Sequence, residues 1–217
     1  MNFPRFIDSN QRISIHSIFG IGRNYHAHAA EMNSEVLKNP VVFLKPNSAL
    51  IPASQPIMLP EQSGEVHHEV ELVLLVGKEG KNIPETSAET FIAGYTLGID
   101  VTARDLQREA KANGLPWSVA KGFDTFAPIG EFHRYPGWEN LSDAKLSLNV
   151  NGSLRQETQL ELMIFKPAKL VSYLSTIYTL YPGDLIFTGT PAGVAKLEHG
   201  DQLTAYLNNW NVDFRVN

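Results

Sequence analysis

The chain has 217 residues, of which 43% are apolar and 19% are charged, as expected for one globular domain with a substantial core. Its 18 basic residues are outnumbered by 23 acidic ones, so the basic surface of a nucleic-acid-binding protein is not indicated. The chain contains no cysteine, which excludes disulfide bonds and thiolate metal sites and fits the cytosol.

The N-terminal segment carries Arg5, Asp8 and Arg12 where a signal peptide would need an unbroken apolar core. No apolar run approaches the roughly 20 residues that span a membrane. We therefore expect a cytoplasmic protein without membrane or nucleic-acid partners. Residues 1–217 are expected to form a single domain, with residues 1–14 as an N-terminal extension.

Short segments that are rich in β-branched residues and bounded by Gly, Pro or Asn predict strands. In chain order these segments are 14–18, 41–45, 69–76, 91–100, 146–150, 184–188 and 202–207. The dipeptide Asn151-Gly152 stands between two extended segments and predicts a β-hairpin. Many short strands therefore dominate the predicted architecture.

Three stretches predict helices, over residues 24–38, 102–114 and 167–180. The first is rich in alanine and ends before Pro40. The second has Thr102 as a candidate N-cap and Gly114 after its end, and the third has Pro167 in its first turn. Together with the strands, these helices predict a β-rich α+β domain.

The segment "VHHEVEL" places two glutamates, Glu69 and Glu71, inside an apolar run that continues as "VLLVG". Residues i and i+2 of a strand project from the same face, so the two carboxylates lie side by side. Carboxylates are seldom buried unless they are paired with cations or bind a metal. An exposed half-strand is the alternative, but the apolar run that follows indicates a strand that enters the interior.

A third carboxylate, Asp100, ends the next predicted strand just before the "TARDLQ" helix. Three carboxylates favour a hard cation such as Mg²⁺, Mn²⁺ or Ca²⁺. Zinc would prefer imidazole ligands, but His67 and His68 are adjacent and cannot both face one ion in a regular strand. We therefore expect a hard divalent metal.

His28 and Glu31 have the i,i+3 spacing that makes them neighbours on one face of a helix. A carboxylate that orients an imidazole produces a general base near neutral pH. A surface ion pair is the simpler alternative from spacing alone. Lys121 lies in the apolar, glycine-containing segment "SVAKGFD", which could desolvate it, although a surface lysine is again the simpler interpretation.

Residues 187–201, "FTGTPAGVAKLEHGD", predict a loop between two strands. Its backbone N–H groups and the hydroxyls of Thr188 and Thr190 are suited to binding a carboxylate. The chain has no GxxxxGK[ST], GxGxxG or GxSxG motif. Neither a nucleotide nor an organic cofactor is therefore expected.

Taken together, these motifs resemble those of the fumarylacetoacetate hydrolase family over residues 15–207. They occur in the family's order: "GRNYHAHAAEM", "PVVFLKP", "VHHEVELVLLVGK", "GYTLGIDVTARDLQ", "GLPWSVAKGFD", "VNGSLRQ" and "LYPGDLIFTGTPAGV". The chain is most similar to the short, single-domain acylpyruvase and oxaloacetate decarboxylase group. It has no room for the extra N-terminal domain of fumarylacetoacetate hydrolase itself, which speaks against fumarylacetoacetate as the substrate.

The resemblance implies a mixed β-roll, a homodimer, and Mg²⁺ or Mn²⁺ as cofactor, with Ca²⁺ as a substitute. The implied metal ligands are Glu69, Glu71 and Asp100. The implied catalytic residues are His28 and Glu31, in a mobile lid helix over residues 24–39, and Lys121. The implied contacts to the substrate's oxo-acid group are Arg23, Asn24, Arg104, Gln107 and Thr190.

The implied activity is a metal-dependent reaction of small 2-oxo or 2,4-dioxo acids through a pyruvate enolate. Hydrolysis of the C–C bond of acylpyruvates or fumarylpyruvate ranks first. Oxaloacetate decarboxylation, oxaloacetate tautomerisation and isomerisation of a hydroxymuconate-type or 2-hydroxyhepta-2,4-diene-1,7-dioate substrate share the same intermediate. A non-catalytic metal-binding module and a purely structural protein are the alternatives from other classes.

Overall fold

The structure is a computed structural model that describes residues 3–32 and 38–217 of the chain. The strands are β1 Ile18–Gly22, β2 Val41–Lys45, β3 Leu50–Pro52, β4 Val66–His68, β5 Val70–Val76, β6 Ile92–Ile99, β7 Thr102–Ala103, β8 Ala127–Ile129, β9 His133–Arg134, β10 Lys145–Val150, β11 Ser153–Gln159, β12 Leu185–Phe187, β13 Ala195–Lys196, β14 Gln202–Leu207 and β15 Trp210–Arg215. The α-helices within those ranges are α1 His26–Glu31, α2 Glu85–Ala88, α3 Arg104–Ala112, α4 Ser118–Lys121 and α5 Pro167–Ile177. Short 3₁₀ turns lie at Asn47–Ala49, Glu89–Phe91, Trp138–Asn140 and Leu160–Leu162.

The strands form three sheets, and the largest has eight strands in the order β2-β1-β12-β5-β6-β8-β3, with β9 beside β6. Two of its pairs, β1 with β12 and β3 with β8, are parallel, so the sheet is mixed. A four-stranded antiparallel sheet, β11-β10-β14-β15, packs against β5 and β6. A three-stranded sheet, β13-β4-β7, completes the fold. This strand-rich arrangement confirms the predicted α+β class.

Strand β5 is the centre of the core, because every one of its residues is buried. It pairs with β12 on one side and with β6 on the other. A strand that is covered on both faces reads as a continuous apolar run rather than an alternating one, which explains "VELVLLV". Glu71, near the start of β5, is therefore buried together with the apolar residues of the strand.

Several predicted elements are confirmed. Strands 41–45 and 202–207 have the predicted bounds, and four others are shifted by one or a few residues. The predicted hairpin joins β10 to β11, with Asn151 at φ 50° and Gly152 at φ 78°. Both angles lie in the left-handed region that the two-residue hairpin turn requires.

The strand predicted over 14–18 is wrong, since the strand in this region begins at Ile18. Its sequence, "IFGIG", contains two glycines, which weaken a strand pattern. The structure explains Gly20 by close packing: a Cβ atom there would lie 2.2 Å from Cζ of Phe43 in β2. Glycine lets the Phe43 ring lie against the strand.

The helix predictions need two corrections. The described residues contain five α-helices instead of three, because α2 and α4 are single turns too short to show a period. Helix α3 begins at Arg104, and Thr102 is not its cap: Thr102 belongs to β7 and its hydroxyl donates to the Asp100 carbonyl oxygen at 3.0 Å. Of the lid helix predicted over 24–39, α1 covers His26–Glu31, and residues 33–37 lie outside the described part of the chain.

No helix in the described part of the chain has both the length and the apolar character needed to cross a membrane.

Candidate metal centre and active site

Three carboxylates meet where two strands of different sheets join. Strand β4 ends at His68, the chain turns at Glu69, and β5 continues from Val70. Because β5 and β6 are antiparallel and Val70 pairs with Ile99, Asp100 emerges beside Glu69, and its amide donates to the Glu69 carbonyl oxygen at 2.8 Å. Glu69, Glu71 and Asp100 are all buried and each offers an oxygen within 4.8 Å of the other two.

Two cations predicted from the sequence hold this acidic trio. The Lys121 ammonium, at the end of α4, donates to Glu69 Oε2 at 2.8 Å and to Asp100 Oδ2 at 2.5 Å. The Arg104 guanidinium, in the first turn of α3, donates to the other oxygen of Glu69. Burial alone would raise the pKa of Glu69, but Lys121 and Arg104 outweigh it and hold that pKa well below its usual range.

A third cation, Lys45, was missed by the sequence analysis. Its ammonium is fully buried and donates to the carbonyl oxygens of Val101, Lys121 and Phe126 at 3.2, 2.7 and 2.8 Å. The same ammonium also lies 2.7 Å from Asp100 Oδ1, with which it forms a buried ion pair. A signal was present, because Lys45 ends the otherwise apolar strand "VVFLK".

The chemistry of these donors fits a hard divalent cation. Asp100 Oδ1 is buried and has the Lys45 ammonium 2.7 Å away, which occupies one lone pair and leaves another for a metal. Burial, and then the charges of Asp100 and Glu69, raise the pKa of Glu71 well above its usual range. Only the Gly189 amide donates to Glu71 among the described residues, at 2.7 Å. A cation bound between the carboxylates would remove the repulsion that raises this pKa.

The predicted histidine–glutamate pair is present in α1. His28 Nδ1 lies 3.0 Å from Glu31 Oε2, which leaves Nε2 of the imidazole for another partner. The other Glu31 oxygen accepts a 3.0 Å hydrogen bond from the Gly193 amide. Gly193 is in the left-handed region at φ 99°, and a Cβ atom there would lie 2.1 Å from the Arg155 carbonyl oxygen. The loop thus fixes the carboxylate that orients His28.

The loop 187–201 does bind carboxylates, but they are those of the protein itself. The Gly189 amide binds Glu71 and the Gly193 amide binds Glu31. The hydroxyls of Thr188 and Thr190 donate to the carbonyl oxygens of Leu72 and Val70, at 2.8 and 2.9 Å. The loop therefore joins the acidic trio to the histidine–glutamate pair.

One cavity brings most of the predicted site residues together. Its lining includes Arg23, His28, Glu69, Glu71, Asp100, Arg104, Gln107, Lys121 and Thr190. Gln107 is held by Arg104, whose Nη1 donates to its Oε1 at 2.7 Å. Arg23 has φ 62°, a left-handed conformation that is uncommon for a residue with a side chain and often marks a functional position.

Asn24, one of the predicted substrate contacts, is not among the residues that line this cavity. Its side chain is fully buried and bonded to backbone: Nδ2 donates to the carbonyl oxygens of Phe165 and Thr188, and Oδ1 accepts from the Phe165 amide at 2.6 Å. Asn24 therefore ties the start of α1 to the loop that carries Thr188. Its role in the structure is to position neighbouring elements.

Gln156, on β11, is a second positioning residue, and it was not among the predicted site residues. Its Oε1 accepts from the Val70 amide at 3.0 Å and lies 2.9 Å from His68 Nδ1, while its Nε2 donates to Thr190 Oγ1 at 2.8 Å. His68 is thereby held away from the trio, and burial lowers its pKa. His67 Nε2 lies 3.1 Å from Glu65 Oε1, so this imidazole contacts Glu65 and is not directed at the candidate metal site.

Lys111 and Trp117 also line the cavity and were not among the predicted site residues. Lys111 follows Arg104 and Gln107 on α3 at spacings of seven and four residues, which places the three on one helix face. Its ammonium lies over the Trp117 ring, 5.2 Å from the centroid. The spacing from Gln107 was a signal that could have identified Lys111.

Comparison with known proteins gives a consistent result. The family profile described as "Fumarylacetoacetate (FAA) hydrolase C-terminal" matches residues 17–212. The mitochondrial oxaloacetate tautomerase of Mus musculus is 46% identical over 192 residues, which cover 88% of this chain and 87% of that protein.

Two solved structures have the same fold. The fumarylpyruvate hydrolase of Pseudomonas aeruginosa, in complex with Mn²⁺ and pyruvate, matches with a TM-score of 0.92 and 38% identity, covering 98% of this chain and 94% of that one. The 5-carboxymethyl-2-hydroxymuconate delta-isomerase of Mycobacterium smegmatis matches with a TM-score of 0.84 and 40% identity, covering 94% and 80%. Similar sequences on one fold thus carry three different reaction names.

Proposed function

The chain belongs to the fumarylacetoacetate hydrolase family, and we propose that it is a divalent-metal-dependent enzyme that forms the enol or enolate of small 2-oxo acids, with oxaloacetate as the first candidate substrate. One observation carries this proposal. The acidic trio and His28, which Glu31 contacts, line the same cavity, so a metal-binding group and a proton-moving group face one ligand.

Glu69, Glu71 and Asp100 would hold the metal, and a bound Mg²⁺ or Mn²⁺ supplies the Lewis acidity that makes the C3 hydrogens of a 2-oxo acid more acidic. A Mn²⁺ ion and pyruvate occur together in the Pseudomonas aeruginosa structure that this chain resembles. That pairing supports a site in which a metal and a 2-oxo acid are bound side by side.

His28 is the group that would move the proton. Glu31 contacts Nδ1, so the neutral imidazole held by this contact carries its proton there and presents Nε2 as the base. Nε2 takes a proton from C3, the C2–C3 double bond forms, and negative charge develops on the C2 oxygen. Return of the proton to that oxygen gives the enol of the substrate, and the reverse sequence regenerates the ketone.

Lys121 and Arg104 are placed to stabilise the negative charge. Both line the cavity and both are fixed by the trio before any substrate arrives. Burial lowers the pKa of Lys121, but Asp100 and Glu69 outweigh it and raise that pKa, so the ammonium stays charged. Cations that are already oriented need no reorganisation when charge develops.

Hydrolysis of a C–C bond is the second candidate, and the sequence alone ranked it first. The likeness to fumarylpyruvate hydrolase supports it. In that reaction His28 would deprotonate a water that attacks the distal carbonyl of an acylpyruvate, and the same pyruvate enolate leaves. The greater identity to the mouse oxaloacetate tautomerase favours oxaloacetate as the first substrate. Double-bond isomerisation needs only the same proton transfers.

The test is a parallel assay of oxaloacetate, acetylpyruvate, fumarylpyruvate and a hydroxymuconate-type dienoate. Keto–enol exchange and pyruvate release are followed separately, with Mg²⁺, with Mn²⁺ and with excess EDTA. We expect enol–keto exchange of oxaloacetate to be fast, to stop in EDTA and to return with metal. Full activity in EDTA would contradict the metal proposal. No activity on any 2-oxo acid would contradict the enzyme proposal and favour a non-catalytic metal-binding module.

His28→Ala tests the proton transfer separately from metal binding. Losing a general base costs about 10²–10⁴-fold in rate, so exchange should fall by that order while Mn²⁺ affinity is retained. His26→Ala is the matched control, because His26 lies in the same helix but is exposed. Similar rates in the two variants would remove His28 from the mechanism.

A further inference from the structure

Lys111 is a cation of the cavity that the proposed reaction leaves without a role. The ammonium and guanidinium groups of Lys121 and Arg104 are engaged by Glu69 and Asp100. Within residues 3–32 and 38–217, no carboxylate forms a salt bridge with Lys111. A half-buried ammonium without an anionic partner, facing a ligand cavity, is placed to bind an anion supplied by the ligand.

Helix α3 separates Lys111 from the acidic trio by a definite length. Arg104, at the first turn, contacts Glu69, and Lys111 lies seven residues further along the same face. At a rise of about 1.5 Å per residue, the two Cα atoms are roughly 10 Å apart along the axis. The flexible lysine stem shortens this span, so Lys111 suits the far end of a small ligand whose head lies at the trio.

Trp117 restricts the position of that ammonium. The contact of 5.2 Å between the Lys111 Nζ and the ring centroid holds the charge over an indole face, and the same ring packs against Phe43 with centroids 5.9 Å apart. Both aromatic side chains line the cavity. The far end of the cavity therefore combines an apolar wall with one positive charge.

The charge balance favours a ligand with two carboxylates. With a metal bound, all three carboxylates of the trio would be ionised, and their three negative charges would face the three positive charges of Lys45, Lys121 and Arg104. A divalent cation would leave this end positive by two, and Lys111 adds one more positive charge along the lining. A monocarboxylate compensates one of these charges, whereas a dicarboxylate compensates two.

We propose that Lys111, positioned by Trp117, binds the distal carboxylate of the substrate, so that the enzyme selects 2-oxo acids that carry a second carboxylate at the end opposite the 2-oxo acid head. This inference rests on the proposed function, because the head must be bound at the trio for the far carboxylate to reach Lys111. Oxaloacetate and fumarylpyruvate belong to the selected class, and acetylpyruvate does not.

The test compares two ligands that differ only at the far end. 2-Oxoglutarate and 2-oxovalerate have the same carbon chain, but the first ends in a carboxylate and the second in a methyl group. Their affinities for the Mn²⁺-loaded protein are measured by calorimetry. We expect the wild type to prefer 2-oxoglutarate by at least about tenfold, the value of one charge-assisted hydrogen bond.

Three variants test whether Lys111 causes the preference for 2-oxoglutarate over 2-oxovalerate. Lys111→Met keeps the length of the side chain without its charge and should abolish the preference by weakening 2-oxoglutarate alone, whereas Lys111→Arg should retain it. Lys166→Met is the matched control, since the Lys166 ammonium lies 5.6 Å from the Trp138 ring centroid and neither residue lines the cavity. Mn²⁺ affinity reports that each variant is folded.

The outcomes separate the two proposals. Equal binding of both ligands by the wild type, retention of the preference in Lys111→Met, or an equal loss for both ligands in that variant would overturn the role of Lys111 alone. Failure of the wild type to bind either ligand would instead overturn the proposed function, and this inference with it.

Discussion

The two ends of the cavity are built in opposite ways. The inner end, formed by Glu69, Glu71 and Asp100 with their three cations, is buried. The outer end, formed by Phe43, Lys111 and Trp117, is only partly buried. The inner end is held by many ion pairs and backbone bonds, while Lys111 at the outer end has a ring contact and no salt bridge within the described ranges.

This difference separates two tasks. Side chains whose charges and hydrogen-bonding groups are already paired within the protein are fixed before a ligand binds. Such fixed groups suit the shared chemistry of forming an enolate. Replacing a partly exposed lysine or either of two aromatic side chains costs little stability. Such positions are therefore suited to determining which substrate is bound. Relatives that keep one fold but carry the names tautomerase, hydrolase and isomerase are what such a division would produce.

Replacing Asp100 should have the largest effect on metal binding and activity at the inner end of the cavity. Asp100→Asn keeps the shape of the side chain but removes a metal-binding charge and leaves Lys45 and Lys121 with one anion fewer. We expect activity on oxaloacetate to fall by on the order of 10³-fold and Mn²⁺ affinity, measured by calorimetry, to fall with it.

Asp201→Asn is the control for that variant. Asp201 is also a buried carboxylate, but it binds Asn151 Nδ2 and the Glu198 amide, both at 2.8 Å and outside the cavity. It should cost stability and leave Mn²⁺ affinity unchanged. Wild-type Mn²⁺ affinity in Asp100→Asn would exclude Asp100 as a ligand.

Replacing Lys45 tests whether the inner end also stabilises the fold. Lys45→Met removes the ammonium donor of three carbonyl oxygens and leaves Asp100 without one of its cations. Of these three, only the Phe126 oxygen keeps another donor among the described residues, the Val101 amide at 3.2 Å. Breaking a buried ion pair costs about 3–5 kcal/mol, so the free energy of unfolding in urea should fall by that amount.

The exposed pair of Lys145 and Glu157 supplies the comparison, since its atoms are as close, at 2.6 Å, but the side chains are 55% and 43% exposed. Lys145→Met should cost no more than about 1 kcal/mol, because exposed pairs are screened by water. Equal losses in the two variants would show that burial does not distinguish these lysines.

The smallest expected effect is a pH dependence of the outer end. Burial, and then the charges of Arg104 and Arg23, lower the pKa of Lys111 to about 8, with Lys121 acting in the same direction and Glu69 opposing. The ammonium is therefore charged below that pH and loses its proton as the pH rises through it. The preference for 2-oxoglutarate over 2-oxovalerate should decline across this range by up to about tenfold.

The ratio of the two affinities is the quantity to measure by calorimetry, because titration of the inner end affects both ligands and cancels. Lys111→Arg should keep the ratio constant, since a guanidinium stays protonated throughout. A wild-type ratio that does not change between pH 7 and pH 9 would show that Lys111 is not the titrating group.

Much of the molecule could be predicted from local pattern. The strands at 41–45 and 202–207, the Asn151-Gly152 hairpin and the β-rich class follow from residue periodicity and turn chemistry, which depend on neighbours in the chain. The strand β1 could not be predicted, because its Gly20 accommodates Phe43 from another strand. The exact start of α3 was likewise decided by β7, which takes up Thr102.

For the site, the sequence by itself determined which side chains are unusual: carboxylates in an apolar strand, and a histidine three residues from a glutamate. Only the tertiary structure decided what each one faces. It placed Lys45 as a counter-ion of Asp100, bonded the Asn24 side chain to the backbone of other elements, and placed Lys111 at the outer end of the cavity. The physical reason is that charge and hydrogen bonding act through space at about 3 Å, and two residues at that distance here, Asn24 and Thr188, are 164 positions apart in the chain.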